Sequence, residues 1–254
     1  MNEYLKDLEK IEFILTYACT GRCKHCSEGE HESEGELIDS EMAAEAVRRV
    51  SEVYGIRTVM TFGGEPLLHT GAVYAIMQAA KEMNVPKRQV ITNGFFTRDT
   101  VRMREVAERL FQCGVNDLLL SVDAFHQETI PLDVVTAFAK EAKNAGVPIR
   151  LQPAWLISPD DRNPYNLKTR EILDSFADMG LYPNEGNVIY PEGNALKHLA
   201  EYFRTSAPSN PYVDDPHRVK CLSFEPNGDV LGGNAHKTDI MELLEGYEPK
   251  GVEA

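Results

Sequence analysis

The chain has 254 residues, of which 43% are hydrophobic and 26% charged, as is typical of an ordinary soluble globular protein. The formal net charge of −14 argues against non-specific binding to nucleic acid or to anionic membrane, both of which need a basic surface. No apolar run approaches the roughly 18 residues of a membrane-spanning helix, and the charged first residues do not resemble a signal peptide. We therefore expect a cytoplasmic protein.

Short apolar segments alternate with amphipathic helical patterns along most of the chain. The strands are predicted, in chain order, at residues 11–18, 58–62, 89–92, 117–122, 147–157 and 187–190. The first helix is predicted at residues 40–54, with Asp39 or Ser40 as its N-cap. The other helices are indicated by apolar residues at helical spacing within residues 73–80, 103–111, 134–142, 172–176 and 195–203.

Six strand-then-helix units predict a parallel sheet of the α/β class, and six is fewer than the eight that close a full barrel. We therefore expect an open, partial (β/α)6 barrel of the TIM type over residues 1–205. Residues 207–216 are rich in proline and asparagine and are predicted to form a loop. A short C-terminal extension, residues 206–254, is expected to cap the barrel and to contain a β-hairpin that turns at residues 226–229. Catalytic groups in such folds collect on loops at the C-terminal ends of the strands.

Three of the five cysteines lie in residues 19–26, Cys-Thr-Gly-Arg-Cys-Lys-His-Cys, directly after the first predicted strand. A cubane iron–sulfur cluster normally takes four thiolates, so three at this spacing would leave one iron open to another ligand. Cys23 and Cys26 alone would also suit a redox pair or half of a zinc site. The missing zinc ligand would have to be His25, His31 or Cys221. From these eight residues alone, both the cluster and the zinc interpretation stay open.

The second predicted strand ends in Gly63-Gly64-Glu65-Pro66. Two glycines allow backbone angles that are closed to other residues and let a ligand approach the main chain. Glu65 adds an acceptor for an ammonium group, and Pro66 fits the first position of a helix. By itself this segment is also an ordinary strand–helix turn. Together, the Cys-x-x-x-Cys-x-x-Cys loop, this turn one unit later and the β/α alternation resemble the radical S-adenosylmethionine enzymes over roughly residues 11–203.

The resemblance implies the cofactors and assigns residues to them. Cys19, Cys23 and Cys26 match the ligands of the family's [4Fe–4S] cluster, whose open iron chelates the amino and carboxylate groups of S-adenosylmethionine. An external one-electron reductant of the flavodoxin or ferredoxin type is implied as well. The family chemistry is cleavage of the sulfonium by one electron, giving a 5′-deoxyadenosyl radical that abstracts hydrogen from the substrate.

The resemblance also implies which residues surround S-adenosylmethionine. Gly63, Gly64 and Glu65 match the turn that holds the methionine amino group. His25 stands where the family usually has an aromatic residue and would contact the adenine. Ile189, in the sixth predicted strand, would supply apolar or main-chain contacts to the same base.

Polar residues at three other strand ends are further candidates for the cofactor pocket. Ser121 and Asp123 are two apart and face the same way, and similar positions in the family touch the ribose; a helix cap or a rim hydrogen bond is the alternative. Arg150 and Gln152 share a face of the fifth strand, and the methionine carboxylate would provide the counter-charge that a cation inside a barrel needs. Asn93 ends the third strand, either as a turn residue or as a ligand.

Two further residues are considered for catalysis. His126 follows the fourth strand in a polar run and is a candidate substrate contact or acid/base group. Cys221 opens residues 221–230, which look like the start of the SPASM or twitch extensions of peptide-modifying family members. No further cysteine follows, so we predict one cluster only and a degenerate tail. Cys221 would then be the hydrogen donor if the reaction is an epimerisation, whereas Cys113 is expected to be a buried inert thiol.

We therefore predict a radical S-adenosylmethionine enzyme that acts on a peptide or protein, by cross-linking, epimerisation or a related modification. Two enzymatic alternatives are an activase for a glycyl-radical enzyme and an enzyme of small-molecule cofactor or modified-base biosynthesis. A non-catalytic iron–sulfur or zinc protein is the alternative from another class, but it gives no reason for the Gly-Gly-Glu-Pro turn.

Overall fold

The computed structural model describes residues 2–31, 34–204 and 207–249. The helices are α1 Ser40–Val53, α2 Thr70–Glu82, α3 Thr100–Gln112, α4 Leu132–Asn144, α5 Pro164–Asp174, α6 Gly193–His198 and α7 Ile240–Glu245. The strands are β1 Lys10–Ile14, β2 Thr58–Phe62, β3 Lys87–Thr92, β4 Asp117–Ser121, β5 Ile149–Gln152, β6 Ala154–Trp155, β7 Asn187–Val188, β8 Cys221–Phe224, β9 Asp229–Val230 and β10 Gly233–Asn234. Short 3₁₀ helices lie at Glu3–Leu5, Pro66–His69, Ala177–Met179 and Ala200–Phe203.

The main sheet has six strands in the order β5-β4-β3-β2-β1-β8, and every neighbouring pair is parallel. Helices follow β1 to β4 and return the chain to the next strand, as parallel pairing requires. The predicted α/β fold with an open, partial barrel is therefore confirmed. Because the strands run the same way, the loops after β1 to β4 meet at one edge of the sheet.

The fifth predicted strand is in fact two. Pro153 separates β5 from β6, since proline has no N–H to give to the sheet ladder. After this residue the chain leaves the main sheet, and β6 pairs with β7 in a separate two-stranded parallel sheet. The predicted strand at residues 187–190 is thus present as β7, but it is not the sixth strand of the main sheet.

The sixth strand of the main sheet comes from the C-terminal extension. β8 pairs with β1, with Lys10 beside Cys221 and Phe13 beside Phe224. Turn bonds are present at residues 225–229, as expected, but the antiparallel pair is β9 with β10, slightly later in the chain. The predicted domain boundary at residues 205 and 206 lies outside the described residues. Because β8 belongs to the main sheet, the extension is structurally continuous with the barrel.

Two apolar clusters form the interior. In the larger one, alternate residues of β1 point towards the helices, and the Phe13 and Phe224 rings stack with centroids 4.8 Å apart. The N-cap predicted for α1 is confirmed, since Asp39 accepts hydrogen bonds from two main-chain N–H groups. The smaller cluster includes Phe125, Ile189 and Leu199 and belongs to the later part of the barrel. It packs beside the loop that carries the three cysteines, since Phe125 contacts the His25 ring.

Candidate active site

The cysteine loop, residues 15–31, follows β1 at the C-terminal edge of the sheet. Cys19 and Cys23 are each 8% exposed, and Cys26 is half-buried. Burial raises the pKa of all three thiols, that of Cys19 to about 11, and the neighbouring thiols add to the effect at Cys19 and Cys23. Two buried thiols and a half-buried one on the same loop are a donor set suited to a soft metal centre.

The distances between the three cysteine sulfurs bear on whether the loop binds a single zinc ion or an iron–sulfur cluster. Around one zinc ion, bonds of about 2.3 Å put two sulfurs only about 4 Å apart. Among the described residues, the one set of three ligand atoms that lie within 4.8 Å of one another is formed by His25, Asp123 and His126, and not by the cysteines. The three sulfurs therefore do not all lie as close together as three thiolate ligands of one zinc ion would.

The Gly-Gly-Glu-Pro turn docks directly on the cysteine loop. Gly64 and Glu65 donate main-chain hydrogen bonds to Thr16 O (2.8 Å) and Ala18 O (2.9 Å). A Cβ atom at Gly64 would lie 2.1 Å from Ala18 O, and one at Gly63, where φ is +130°, would lie 2.7 Å from Thr16 O. Both glycines are thus required for the close approach of two main chains.

Glu65 is fully buried beneath this turn. Its Oε1 accepts from the Thr92 hydroxyl (2.6 Å) and from Leu67 N–H (2.9 Å), and its Oε2 accepts from Asn93 N–H (2.8 Å). Burial raises the pKa of this carboxyl to about 7, although the hydrogen bonds work in the opposite direction. Since a carboxylate has about four acceptor positions, one position on Oε2 is left for a further donor. Pro66 begins the short 3₁₀ helix that follows and is buried.

Asn93 joins the end of β3 to the cysteine loop. Its Nδ2 donates to the Thr20 hydroxyl (3.2 Å) and lies 3.6 Å from Cys19 Sγ, while its Oδ1 accepts from Phe95 N–H (2.7 Å). Both expectations for this residue, a turn residue and a site contact, are therefore compatible with its position.

The position of Asp123 does not fit the expected role as a ligand of the ribose. It has no exposed surface, and its two oxygens already accept four hydrogen bonds, from Phe125 N–H, His126 N–H, Ala154 N–H and the His126 ring. These fill the acceptor positions of a carboxylate. Asp123 therefore anchors the loop after β4, as the alternative of a cap or rim hydrogen bond anticipated. Ser121 is buried at the end of β4, next to Gln152 in the sheet register.

His126 and His25 meet between the loop after β4 and the cysteine loop. Nδ1 of His126 lies 2.7 Å from Asp123 Oδ2, so that the proton sits on this nitrogen, and the His126 and His25 ring centroids are 4.7 Å apart. Burial, and then the His126 charge, lowers the pKa of His25 to about 4. His25 Nδ1 is buried without a hydrogen-bond partner in the described structure. A neutral ring with a free nitrogen suits a hydrogen-bonding ligand such as a nucleobase.

Arg150 has another counter-charge than the one expected. Its guanidinium makes a two-bond pair with Asp117 (2.8 and 2.7 Å), a residue at the opposite end of β4 from the cysteine loop. The methionine carboxylate is therefore not needed to balance it. Gln152 accepts a hydrogen bond from Asn184, and Ile189 is 4% exposed in the smaller apolar cluster.

Cys221 lies far from the other candidate residues. It begins β8 and is in register with Lys10, the first residue of β1, whereas the cysteine loop follows the last. At about 3.3 Å per residue, the length of β1 puts the two ends about 13 Å apart. Burial and the neighbouring Glu12 raise the pKa of the Cys221 thiol. The expected role as a hydrogen donor finds no support in this position.

One contact was missed by sequence reasoning. Asn194, at the start of α6, donates hydrogen bonds to the main chain of the cysteine loop. The sequence signal for a turn at this point is Pro191-Glu192-Gly193, directly after a predicted strand. No local pattern, however, indicates a partner more than 160 residues earlier.

The family model described as the Radical SAM superfamily matches residues 13–151 of the chain, which include the cysteine loop, the Gly-Gly-Glu-Pro turn and β2 to β4. The protein belongs to the radical SAM superfamily. It is accordingly an enzyme whose cofactors are a [4Fe–4S] cluster and S-adenosylmethionine, and enzymes of this superfamily use an external reductant. None of the described helices of this radical SAM protein has the length and apolar character needed to cross a membrane.

Two curated relatives are similar to this chain over part of their length. The probable GTP 3′,8-cyclase of Saccharolobus solfataricus is 26% identical over 220 residues, which are 80% of this chain and 67% of that protein. The probable GTP 3′,8-cyclase of Sulfolobus acidocaldarius is 31% identical over 160 residues, 58% of this chain and 47% of that protein. The radical SAM chain thus spans about half to two thirds of these curated relatives.

Solved structures share the fold at low sequence identity. Streptococcus suis SuiB bound to S-adenosylmethionine has a TM-score of 0.60 at 14% identity, covering 96% of this chain and 66% of that one. Native anSMEcpe with bound AdoMet has a TM-score of 0.58 at 15% identity, covering 94% of this chain and 80% of that one. At these identities the likeness establishes the architecture of the radical SAM chain.

Proposed function

We propose that this radical SAM enzyme binds its cluster through Cys19, Cys23 and Cys26 and abstracts hydrogen from a small-molecule substrate in cofactor biosynthesis. The observation that carries the proposal is the docking of the Glu65 turn on the cysteine loop at the C-terminal edge of the sheet. This contact brings three thiols and a buried carboxylate with an unfilled acceptor position together. When the cofactors are bound, the chemistry supplied at this edge is one-electron reductive cleavage of S-adenosylmethionine.

Two side chains, Glu65 and His25, would bind different parts of S-adenosylmethionine. Glu65 would accept a hydrogen bond from the methionine amino group, because its fourth acceptor position is free and its other three are fixed by Thr92, Leu67 and Asn93. His25 would donate to or accept from the adenine through its unpartnered Nδ1. The burial of both groups excludes water, which strengthens hydrogen bonds made there.

A small molecule is favoured over the expected peptide for two reasons. Relatives that match up to 80% of this chain are named for GTP, a nucleotide substrate. The peptide expectation relied on the tail at residues 221–230, and β8 in that tail serves as an edge strand of the main sheet. Cys221, its one thiol, lies at the other end of the strands from the cysteine loop.

The test is reconstitution with iron and sulfide without oxygen, followed by dithionite and S-adenosylmethionine and an assay for 5′-deoxyadenosine. We expect product from the wild type and from Cys113→Ala, a change of a buried thiol in the helical layer. We expect none from Cys19→Ala, Cys23→Ala or Cys26→Ala. Tight binding of zinc without a cluster in the wild type would overturn the proposal.

The substrate class is tested in the same assay. Addition of GTP, then of other purine nucleotides, should raise the rate of 5′-deoxyadenosine formation and consume the nucleotide. If no nucleotide has an effect while an added peptide is consumed, the small-molecule part of the proposal is wrong and the cluster assignment stands.

A further inference from the structure

The second half of the cysteine loop is held by Asn194, from the last helical unit of the barrel. Its main-chain N–H donates to Cys26 O (2.8 Å), and its Nδ2 donates to Cys23 O (3.2 Å) and to Gly29 O (2.9 Å). Asn194 is 8% exposed, so that these bonds form largely away from water. One residue thus fixes the carbonyl groups of two of the three proposed cluster ligands.

Gly193 makes the same contact from the main chain. It has a φ of +50°, and a Cβ atom there would lie 2.3 Å from Ser27 O and 2.6 Å from Cys26 O. Contacts this short between a Cβ atom and main-chain oxygens do not occur without displacement of one chain. Gly193 therefore lets the start of α6 lie directly against the loop, which is an observation independent of the Asn194 hydrogen bonds.

Two main-chain hydrogen bonds within this half of the loop are long. Cys26 N–H donates to Cys23 O and Gly29 N–H donates to Cys26 O, both at 3.3 Å, beyond the usual range for this kind of bond. The first half of the loop has its own support, since Arg22 N–H donates to the Thr129 hydroxyl (3.0 Å). The second half is supported by residues 193 and 194 and, within the loop, by His31, whose Nε2 lies 3.1 Å from Cys26 Sγ and whose Nδ1 lies 2.7 Å from Tyr17 O.

We propose that Gly193 and Asn194 form a clamp that positions Cys23 and Cys26 for cluster binding. Asn194 is then a positioning residue for the radical chemistry, acting through the two cysteines. The inference rests on the proposed function in that the loop binds the cluster. The hydrogen bonds of the clamp involve protein groups alone, however, and they can be tested without iron.

The first experiment measures the alkylation rate of each cysteine by iodoacetamide in the cluster-free protein, followed by mass spectrometry. Asn194→Asp keeps the size and the main-chain N–H but replaces the side-chain donor by an acceptor that faces two carbonyl oxygens. We expect alkylation of Cys23 to accelerate about tenfold, as loss of one to two net hydrogen bonds would give. Cys113, which is 1% exposed, is the internal reference and should keep its rate.

The matched control is Asn166→Asp. Asn166 is fully buried, and its Nδ2 also donates to main-chain carbonyls, those of Leu156, Ser158 and Asp161, but in a different loop. We expect both variants to lower the Tm, and we expect faster alkylation of Cys23 from Asn194→Asp alone. If Asn194→Asp does not fold, Asn194→Ala removes the donor without adding charge and carries the same expectations.

The second experiment uses the reconstituted enzyme. Asn194→Asp should release iron to a chelator about tenfold faster and change the EPR spectrum of the reduced cluster, because the positions of two ligands shift. Gly193→Ala should do the same. Gly180→Ala is its control, since Gly180 also has a positive φ, +65°, and its nearest neighbour is the flexible Lys143 Nζ at 3.7 Å.

The outcomes separate the clamp from the proposed function. Wild-type alkylation rates and wild-type EPR spectra in both Asn194→Asp and Gly193→Ala would refute the clamp, while 5′-deoxyadenosine production would still support the proposed function. If the wild type assembles no iron–sulfur cluster, the proposed function fails, and the alkylation experiment still decides whether the clamp exists.

Discussion

Replacement of Glu65 by glutamine gives the sharpest test of how S-adenosylmethionine is held. The change removes the charge of the carboxylate that would accept a hydrogen bond from the methionine amino group, and a hydrogen bond to a charged group contributes about 1.5–3 kcal/mol. Glutamine also presents an NH₂ group to one side of a site where all three existing partners are donors. Since 1.4 kcal/mol is a factor of ten, we expect Glu65→Gln to weaken binding of S-adenosylmethionine about tenfold to a hundredfold.

The assay is equilibrium binding of S-adenosylmethionine to the reconstituted enzyme without reductant, so that the cofactor is not consumed. Glu30→Gln is the matched control, because it removes a carboxylate that is also near the cysteine loop but is exposed and paired with Lys197. Such surface pairs contribute little, and we expect a change of less than about twofold. Unchanged binding in Glu65→Gln, with a full complement of cluster, would refute the assignment of Glu65 to the methionine amino group.

Three other predictions follow from the same structure. Because the pKa of Glu65 is raised to about 7 and the carboxylate form accepts from the methionine amino group, the Kd for S-adenosylmethionine should rise about tenfold per pH unit below 7. The Kd should level off above pH 7, and the slope should be absent in Glu65→Gln. Asp123→Asn removes the charge that pairs with His126 and puts an NH₂ group among four donors. We expect this change to lower the free energy of unfolding, measured by urea titration, by about 3–5 kcal/mol. A loss below about 1 kcal/mol would contradict the anchoring role. Phe224→Ala, at the stack of β8 on β1, should cost about 3–5 kcal/mol by the same measurement, whereas Phe111→Ala, at a half-exposed position, should cost clearly less.

The parts of the fold that sequence reasoning predicted are those set by local periodicity. The positions of β1 to β4 and α1 to α4 follow from alternating apolar segments and helical spacing, and the Asp39 cap follows from a polar residue just before such a helix. Pro153 was visible in the sequence and should have divided the fifth strand. The edge position of β8 was not visible, because a four-residue apolar segment does not indicate which strand it will join.

Within the candidate site, the residues that sequence reasoning placed correctly at one edge are those next to each other in motifs. The loop of three cysteines and the Glu65 turn are brought together as expected. The Arg150 expectation failed on a partner that is distant in sequence, since its counter-charge is Asp117, 33 positions earlier. Asp123, by contrast, receives three of its four hydrogen bonds from Phe125 and His126, as a local cap residue does. A short-range pattern shows that a charge needs a partner, but it does not show which partner is nearest in three dimensions.

The pairing of β8 with β1 has a consequence for how the chain folds. β1 precedes the other strands of the main sheet in the chain, yet its partner on one side, β8, lies about 200 residues later. Until then, β1 presents an open row of unpaired N–H and C=O groups, the kind of strand edge that recruits other chains. Closing such a distant contact is slow, and large proteins expose unpaired edges in their intermediates. The strand that leads into the cysteine loop therefore needs protection from other chains until β8 has joined the sheet.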